Sequence, residues 1–248
     1  AVDHDCTGVD EDCDGVGERV VPTAYATLHD AVAAADDGDR VCVQPGTHVE
    51  TAPIDFGGRN LDVLGVGGAA STIVEIDLGG PDHLFNYTAG EDDRSVLRGL
   101  TLTQTSGSGG AIAIAQASPR IEDLVVSDLT LADPDPIEID GGAPTFTGLT
   151  ISGAQTAWFG NAHAEIAIVG GATVTFDDCS FESSRRRNVI ELEGSAVVSI
   201  TDSVFSDNEE TALHTTESTL TLSDTVIERT GFDAIDVLGG TLHLQRCT

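Results

Sequence analysis

A repeat of about 22 to 24 residues constrains the fold of this chain more than any other feature. Residues 174–181 alternate apolar and polar side chains, and the same pattern recurs three times toward the C-terminus. The later copies begin at Val198, Leu220 and Leu242. A period of this length is typical of a solenoid, in which successive units stack on one another.

Each unit also contains a second alternating run, found at residues 190–192, 213–215 and 235–237. Alternation with a period of two indicates strands with one buried face. Short strands that recur in every unit predict an all-β chain, folded as a right-handed parallel β-helix of about eight coils. Because coils stack about 4.8 Å apart, inward residues of successive coils should form one interior column. That column is predicted to contain Phe176, Ile200, Leu222 and Leu244.

The predicted solenoid spans residues 21–248, and its two ends are predicted to differ in how they are covered. Apolar residues at helical spacing over residues 25–35 predict an amphipathic helix. We expect this helix to cap the first coil, because a solenoid end exposes its core and unpaired strand edges. The chain stops inside a coil, after Cys247-Thr248. We therefore expect it to continue in a longer chain, or to be covered there by a partner or by self-assembly.

The order of segments over residues 23–76 resembles the start of the pectin lyase-like superfamily of right-handed β-helices. The matching parts are the helix, then Asp-Gly-Asp-Arg-Val-Cys-Val, Pro-Gly-Thr-His-Val-Glu and Asn-Leu-Asp-Val-Leu-Gly. The resemblance implies the fold and says almost nothing of activity, because the superfamily includes lyases, hydrolases, epimerases, tailspikes and non-catalytic surface proteins.

Residues 1–20 form an acidic leader with the oxygen ligands of a calcium loop. Asp10, Asp12, Asp14 and Glu18 take relative positions 1, 3, 5 and 9 of an EF-hand-type loop, and a glycine stands at position 6. The glutamate expected at position 12 is replaced by Val21, so we expect a weaker or differently completed site. An earlier, shorter copy of the pattern contributes two further candidate ligands, Asp3 and Asp5. The alternative is a solvated acidic linker.

Residues 6–15 of this leader resemble the Cys-Asp-Gly metal-binding repeats of large secreted bacterial proteins. They are also similar to the calcium loops of thrombospondin type 3 repeats. The resemblance implies bound Ca²⁺ and a disulfide between Cys6 and Cys13, which flank a short polar loop and could bridge. Such a disulfide would fit an oxidising, extracellular setting.

The other three cysteines are predicted to be free, buried thiols. Cys179 and Cys247 occupy the same inward position three coils apart, roughly 14 Å by the rung spacing. That distance is beyond the reach of a disulfide. Cys42 lies in the apolar run Arg40–Val43 and is expected to behave similarly.

The chain has a formal net charge of −31 and no lysine, which limits the classes of molecule that it can bind. Such a chain repels nucleic acid, anionic membranes and, unless metal ions intervene, acidic polysaccharides. A GC-rich genome that favours arginine, or adaptation to salty surroundings, would explain the charge; collection of divalent cations is the functional alternative. The sequence has no run of about 18 apolar residues, so we expect no membrane insertion.

The sharpest candidate for chemistry is the row of outward side chains on the second strand of each unit. Neighbours in this row are one rung apart, and Glu191 and Asp236 are therefore about 9.6 Å apart. That separation is close to the carboxylate spacing of inverting glycosidases, and a histidine between them could join in acid–base catalysis. The alternative is that outward strand positions are simply polar. The row consists of Ala113, Glu138, Ala167, Glu191, His214 and Asp236.

A second row, in which aspartates alternate with glycines, favours a sharp corner over a calcium ladder. Only Gly, Asn and Asp readily adopt the left-handed backbone that such a corner requires. The row consists of Gly99, Asp123, Gly148, Asp178, Asp202 and Asp224.

Two further features could contact a ligand. Residues 185–187 are three arginines, which could hold an anionic substrate or relieve repulsion on an acidic surface. Trp158 and His163 share one loop and could stack on a sugar.

Two functions of different classes fit these patterns. We favour a secreted or cell-surface, calcium-stabilised structural module that contacts glycans or other surface proteins. The alternative is a polysaccharide-active enzyme, a hydrolase or lyase, that uses Glu191, His214 and Asp236. The lack of lysine and the few arginines weigh against a lyase, which needs a basic residue to take the substrate's proton.

Overall fold

The computed structural model describes residue 6 and residues 18–104, 108–131, 135–153, 155–156, 164–185 and 188–248. In these ranges the chain consists of parallel strands, with one short helix, Leu28–Ala33. The strands stack as a parallel β-solenoid of about nine turns. No helix among the described residues is long and apolar enough to cross a membrane.

The strands form three columns, each running along the solenoid axis with one strand per coil. Column one contains Glu18–Val21, Arg40–Val43, Asp62–Gly65, Val96–Arg98, Arg120–Glu122, Thr145–Thr147, Thr173–Asp177 and Val197–Thr201. Column two contains Gly46–Glu50, Thr72–Ile76, Thr101–Thr103, Val125–Ser127, Thr150–Ser152, Ser180–Glu182, Val204–Ser206 and Val226–Glu228. Column three contains Ile54–Asp55, Gly79–Tyr87, Ser108–Ala115, Ile137–Asp140, Ala164–Val169 and Asn188–Leu192.

Two long strands, Thr211–Ser223 and Ile235–Gln245, continue from column three into column one without a break. They join these two columns into one 16-stranded sheet, while column two is a separate sheet of eight strands. A further pair, Thr130–Leu131 and Gln155–Thr156, lies outside the columns.

The interior column predicted from the repeat is confirmed by the strand register. Phe176 pairs with Ile200, Ile200 with Leu222, and Leu222 with Leu244. The first three side chains are fully buried. Leu244 keeps the same register but is 55 % exposed, because it lies in the last coil. Inward aliphatic and aromatic side chains of successive coils therefore share one core.

Phenylalanines strengthen this core by stacking between coils. The rings of Phe146 and Phe176 are stacked with centroids 4.9 Å apart, and those of Phe181 and Phe205 are stacked at 4.5 Å. These separations match the spacing of neighbouring strands. The parallel register thus gives each ring a partner of the same kind one rung away.

The alternating Gly and Asp row forms a corner, as its composition predicted. Every member has a left-handed backbone, with φ between 49° at Asp123 and 68° at Gly99. The corner closes each coil between column one and column two. Aspartate tolerates this backbone better than most residues, because its short carboxylate can bond to nearby backbone groups.

The predicted helical cap is not supported. The helix contains only six residues, and it begins at the N-cap Thr27 with the Glu50 carboxylate accepting from the backbone N–H of Leu28 at 2.7 Å. Its apolar face packs into the common core. The strand Glu18–Val21 precedes the helix and pairs with Arg40–Val43, so the edge of column one is a strand. The helix follows that strand within the first coil.

Truncating one interior ring should cost a large share of the stability. We expect Phe176→Ala to lower the free energy of unfolding by about 3–5 kcal/mol, because it removes contacts in two neighbouring coils and leaves a cavity. Denaturant unfolding followed by circular dichroism measures the loss. Thr175→Ala, at the adjacent exposed position, should cost less than about 1 kcal/mol. Equal losses for the two variants would contradict the stacked core.

The corner makes a separate prediction about backbone strain. At Asp178, where φ is 53°, replacement by glycine should be nearly neutral. Asp178→Val should cost about 1–2 kcal/mol, because a β-branched side chain is strained in this conformation. Asp177→Val, one residue earlier in an exposed strand position, is the matched control and should cost little. The same unfolding experiment distinguishes the three variants.

Candidate functional site

The outward row of column three is assembled in the order that the repeat predicted. Each member pairs with the next across adjacent strands, and we call this set the outer row: Ala113, Glu138, Ala167, Glu191, His214 and Asp236. Parallel pairing without a shift of register puts side chains of equivalent position one rung apart. The alignment is confirmed, while the catalytic role of its last three members stays a prediction.

Two of the candidate catalytic residues contact each other directly. The Nδ1 of His214 lies 3.0 Å from Oδ2 of Asp236, so an N–H at Nδ1 donates to the carboxylate. The other ring nitrogen, Nε2, is 3.4 Å from the hydroxyl oxygen of Thr216. The imidazole is 14 % exposed and the Asp236 side chain 38 %. The aspartate therefore orients the ring, with its Nε2 edge toward Thr216.

Glu191 is held by a different neighbour. The amide Nδ2 of Asn188, which is buried, donates to Oε2 of Glu191 at 3.1 Å. Glu191 is half-buried and occupies the rung beside His214. Glu191 is therefore bonded to Asn188 on its own strand, whereas His214 and Asp236 are bonded to each other across the next two rungs.

A groove that sequence analysis missed runs over the first half of the outer row. Its volume is about 440 Å³, and it is lined by Ala113, Glu138 and Ala167 together with Asp135 and Asp140. Two alanines on either side of a glutamate leave space that larger side chains would fill. The signal was present in the row itself, where small residues alternate with acidic ones.

Most described arginines pair with acids away from the outer row, whereas the guanidinium of Arg59 donates to backbone carbonyls. The Asp62 carboxylate on column one forms ion pairs with both Arg40 and Arg98. Arg185 pairs with Glu209 at 3.1 Å, which favours relief of repulsion over substrate binding for this residue. Arg186 and Arg187 lie outside the described residues. The remaining described arginine pairs are Arg19–Asp39, Arg94–Asp92, Arg120–Glu122, Arg229–Asp207, Arg229–Glu228 and Arg246–Asp224.

Two of these pairs lie at corners and bridge successive coils. The guanidinium of Arg229 beside Asp207 lowers the pKa of that carboxyl below its ordinary value through a hydrogen bond, and Arg246 does the same to Asp224. Both acids are exposed corner residues. These arginines neutralise part of the negative charge along the corners.

The disulfide differs from the predicted one. Cys6 is bonded to Cys42, with their Cα atoms 5.7 Å apart. The expected Cys6–Cys13 disulfide and the expected free thiol at Cys42 are therefore both wrong. The reason is the facing of Cys42: Val41 and Val43 enter the main core, whereas Cys42 packs with Cys6 and Val20 in a separate cluster. Every residue from 41 to 43 is apolar, so the alternation could not reveal this outward position.

Cys179 and Cys247 are both free, as predicted, but only Cys179 is buried, since Cys247 lies in the last coil and is partly exposed. Burial raises the pKa of the Cys179 thiol to about 11. Cys179 is therefore an unreactive core residue at neutral pH.

Of the six predicted calcium ligands, the described chain includes only Glu18. Its Oε1 accepts from the backbone N–H of Cys6 at 3.1 Å. The other ligands, Asp3, Asp5, Asp10, Asp12 and Asp14, lie outside the described residues, as do Cys13, Trp158 and His163.

Comparison with solved structures finds several chains of low similarity to this one. Geobacillus virus E2 ORF18 is 10 % identical, with a TM-score of 0.41, over 84 % of this chain and 56 % of that one. A GH87 α-1,3-glucanase catalytic domain bound to tetrasaccharides is 9 % identical, with a TM-score of 0.36, over 94 % and 68 %. The catalytic unit of a thermostable GH87 α-1,3-glucanase from Streptomyces thermodiastaticus is 15 % identical, with a TM-score of 0.35, over 89 % and 65 %. This chain thus spans between 56 % and 68 % of their lengths.

No curated protein sequence matches this chain. A family model does match, described as "Right handed beta helix region", over residues 91–248. The match begins after the leader, so the resemblance of residues 6–15 to calcium-binding repeats stays a prediction. It covers most of the chain and agrees with the parallel columns and their single core. The chain therefore belongs to the right-handed β-helix family.

Proposed function

We propose that this protein is a secreted or cell-surface β-helix that serves as a rigid scaffold and contacts a glycan along its outer row. The observation that carries the proposal is the groove around Glu138, with alanines one rung away on each side. A sugar ring could lie over the small side chains while the carboxylate accepts hydrogen bonds from its hydroxyl groups.

Rigidity supports a binding role for this surface. Backbone pairing fixes each member of the outer row to the rung before and after it. A surface that is ordered before binding loses little conformational entropy when a ligand arrives. A linear polymer could therefore make similar contacts on several successive rungs.

The charge of this face selects among glycans. Glu138, Asp140 and Asp135 line the groove, and Glu191 and Asp236 continue the row. The described arginine ion pairs lie elsewhere, so the described part of this face carries a net negative charge. Repulsion disfavours uronic-acid polymers, and neutral or amine-bearing glycans are the class that fits.

The leader supports the location and the metal dependence that we propose. A disulfide between Cys6 and Cys42 fits an oxidising compartment such as the extracellular space. Calcium would be held by the carboxylates of residues 3–18, whose spacing suits a hard cation. The ion would then order the leader against the first coil.

Filling the groove should abolish glycan binding. We expect Ala167→Phe to weaken binding of a neutral glycan by at least about tenfold, since the ring would occupy the space beside Glu138. Glu138→Gln keeps the shape of the side chain and removes its charge. It should weaken the binding of amine-bearing glycans more than that of neutral glycans. A glycan array identifies ligands, and calorimetry then measures the affinities.

The matched control for the groove is Thr175→Phe, which adds the same ring at an exposed position of column one. It should leave glycan affinity unchanged. Affinity that survives Ala167→Phe at the wild-type level would refute this site, and tight binding of uronic-acid polymers would refute the charge argument.

Chelation tests the calcium part of the proposal. Removing Ca²⁺ should lower the melting temperature by at least about 2 °C, because an ion that binds only the folded state stabilises it. The double variant Asp12→Asn/Asp14→Asn should melt at the chelated temperature and no longer respond to chelator. Asp93→Asn, an exposed acid outside the leader, should respond as the wild type does. An identical melt with and without chelator would exclude this role for calcium.

Glycan hydrolysis is the second candidate function, favoured by the contact between His214 and Asp236 beside Glu191. The groove weakens it, because its lining includes none of these three residues. The exposure of Asp236 weakens it further, since a general acid is usually desolvated to raise its pKa.

If the protein hydrolyses glycans, Glu191→Gln and Asp236→Asn should each lower the rate at least about 100-fold. Reducing-end release from a panel of neutral polysaccharides measures it. Glu193→Gln, at an exposed position two residues from Glu191, should keep the wild-type rate. Activity that persists in both site variants would remove these residues from any mechanism.

A further inference from the structure

We propose that Cys6, Glu18 and Cys42 form a redox-gated metal site that takes a thiolate-binding divalent cation such as Zn²⁺ when the disulfide is reduced. In the oxidised chain the two sulfur atoms are bonded to each other. In the reduced chain they become two thiols next to one carboxylate, and they lose their protons when a metal ion binds.

The geometry brings three ligand atoms to one point. The two Sγ atoms and a carboxylate oxygen of Glu18 all lie within 4.8 Å of one another. Zinc binds thiolate at about 2.3 Å and carboxylate at about 2.0–2.2 Å, so a single ion can contact all three atoms. A fourth position would remain for a water molecule, as in zinc sites with three protein ligands.

The strands hold these ligands in place. Glu18 and Val20 belong to the first strand of column one, and Val20 pairs with Cys42 on the next strand. Residues two apart on a strand point to the same side, so Glu18 lies on the face that carries Cys42. The bond from the Cys6 backbone N–H fixes the Glu18 carboxylate beside the sulfur pair.

The surroundings favour metal over free thiolates. Cys42 is fully buried and Cys6 is 6 % exposed, with Val20 and Leu64 packed around them. A buried thiolate without a partner is unfavourable, because its charge is poorly solvated. A dication at the same place neutralises the two sulfurs and excludes further water.

Electrons and protons are balanced in the change from the disulfide to the metal-bound state. A thiol or phosphine reductant supplies two electrons, the S–S bond breaks, and two protons complete two thiols. Metal binding then releases those two protons as the sulfurs coordinate. Glu18 is a candidate ligand of both this site and the calcium loop proposed for the leader. The two sites still select different ions, since thiolates favour Zn²⁺ or Co²⁺ and carboxylates alone favour Ca²⁺. Disulfide and metal are thus alternative ways to tie Cys6 to the first coil.

The experiment uses the full chain with Cys13→Ser, Cys179→Ala and Cys247→Ser, which leaves Cys6 and Cys42 as its two cysteines. The protein is reduced with a phosphine, freed of reductant under nitrogen and titrated with Co²⁺. We expect one Co²⁺ per chain, a thiolate-to-cobalt charge-transfer absorption in the near ultraviolet, and its loss when Zn²⁺ is added. The absence of that absorption would overturn the proposal.

Variants of the three ligands and the oxidised protein test which residues bind Co²⁺ and whether reduction is required. Cys42→Ser should remove most of the absorption, and Cys6→Ser, a change nearer the surface, should do the same if the first variant fails to fold. Glu18→Gln should weaken Co²⁺ binding by about tenfold or more, while Glu193→Gln should leave it unchanged. Equal binding by the air-oxidised protein, or by both cysteine variants, would overturn the assignment. Unchanged affinity in Glu18→Gln would exclude the carboxylate as a ligand.

Discussion

Parallel backbone pairing between consecutive coils is the constraint on which the rest of the structure depends. Each strand bonds to the strand one repeat earlier and one repeat later, so a side chain meets its own counterpart about 4.8 Å away on either side. Inward positions become the shared core, in which Phe176 stacks on Phe146. Outward positions become rows, and the candidate site is one of these rows.

The corners let this pairing continue without interruption. Left-handed residues at equivalent positions turn the chain between columns in successive coils, and carboxylates are the side chains that most often stand there besides glycine. These acids add to a surface charge that is already very negative. Arg229 and Arg246 offset part of it by reaching back to the aspartate of the preceding coil. Backbone geometry and electrostatics are thus linked at the same positions.

Sequence reasoning was most accurate where polar and apolar residues alternate. The run around His214 has one apolar face, so both its inward and outward residues could be assigned, and the register of Glu191, His214 and Asp236 followed. It failed at Arg40–Val43, where residues 41–43 are all apolar because Cys42 packs outward against Cys6 and Val20 while Val41 and Val43 enter the main core. There the pattern held no sign of the facing of Cys42, and the disulfide was misassigned. The length of the helix was also overestimated. Its six residues, Leu28–Ala33, are enough to pack its apolar face into the core. The groove depends on the sizes of neighbours in three coils at once, so its signal lay in the outer row compared across coils and not in the pattern within one repeat.

The unshifted register along column three has a consequence for how such a chain can change. Glu138 and Glu191 are separated by two rungs, with Ala167 between them. Inserting or deleting one whole repeat between them would alter that separation by a single fixed step and leave the local surroundings of both residues intact. Distances between surface groups along the solenoid can therefore change only in steps of one rung. Duplication or loss of a repeat changes them, and no loop has to be remodelled.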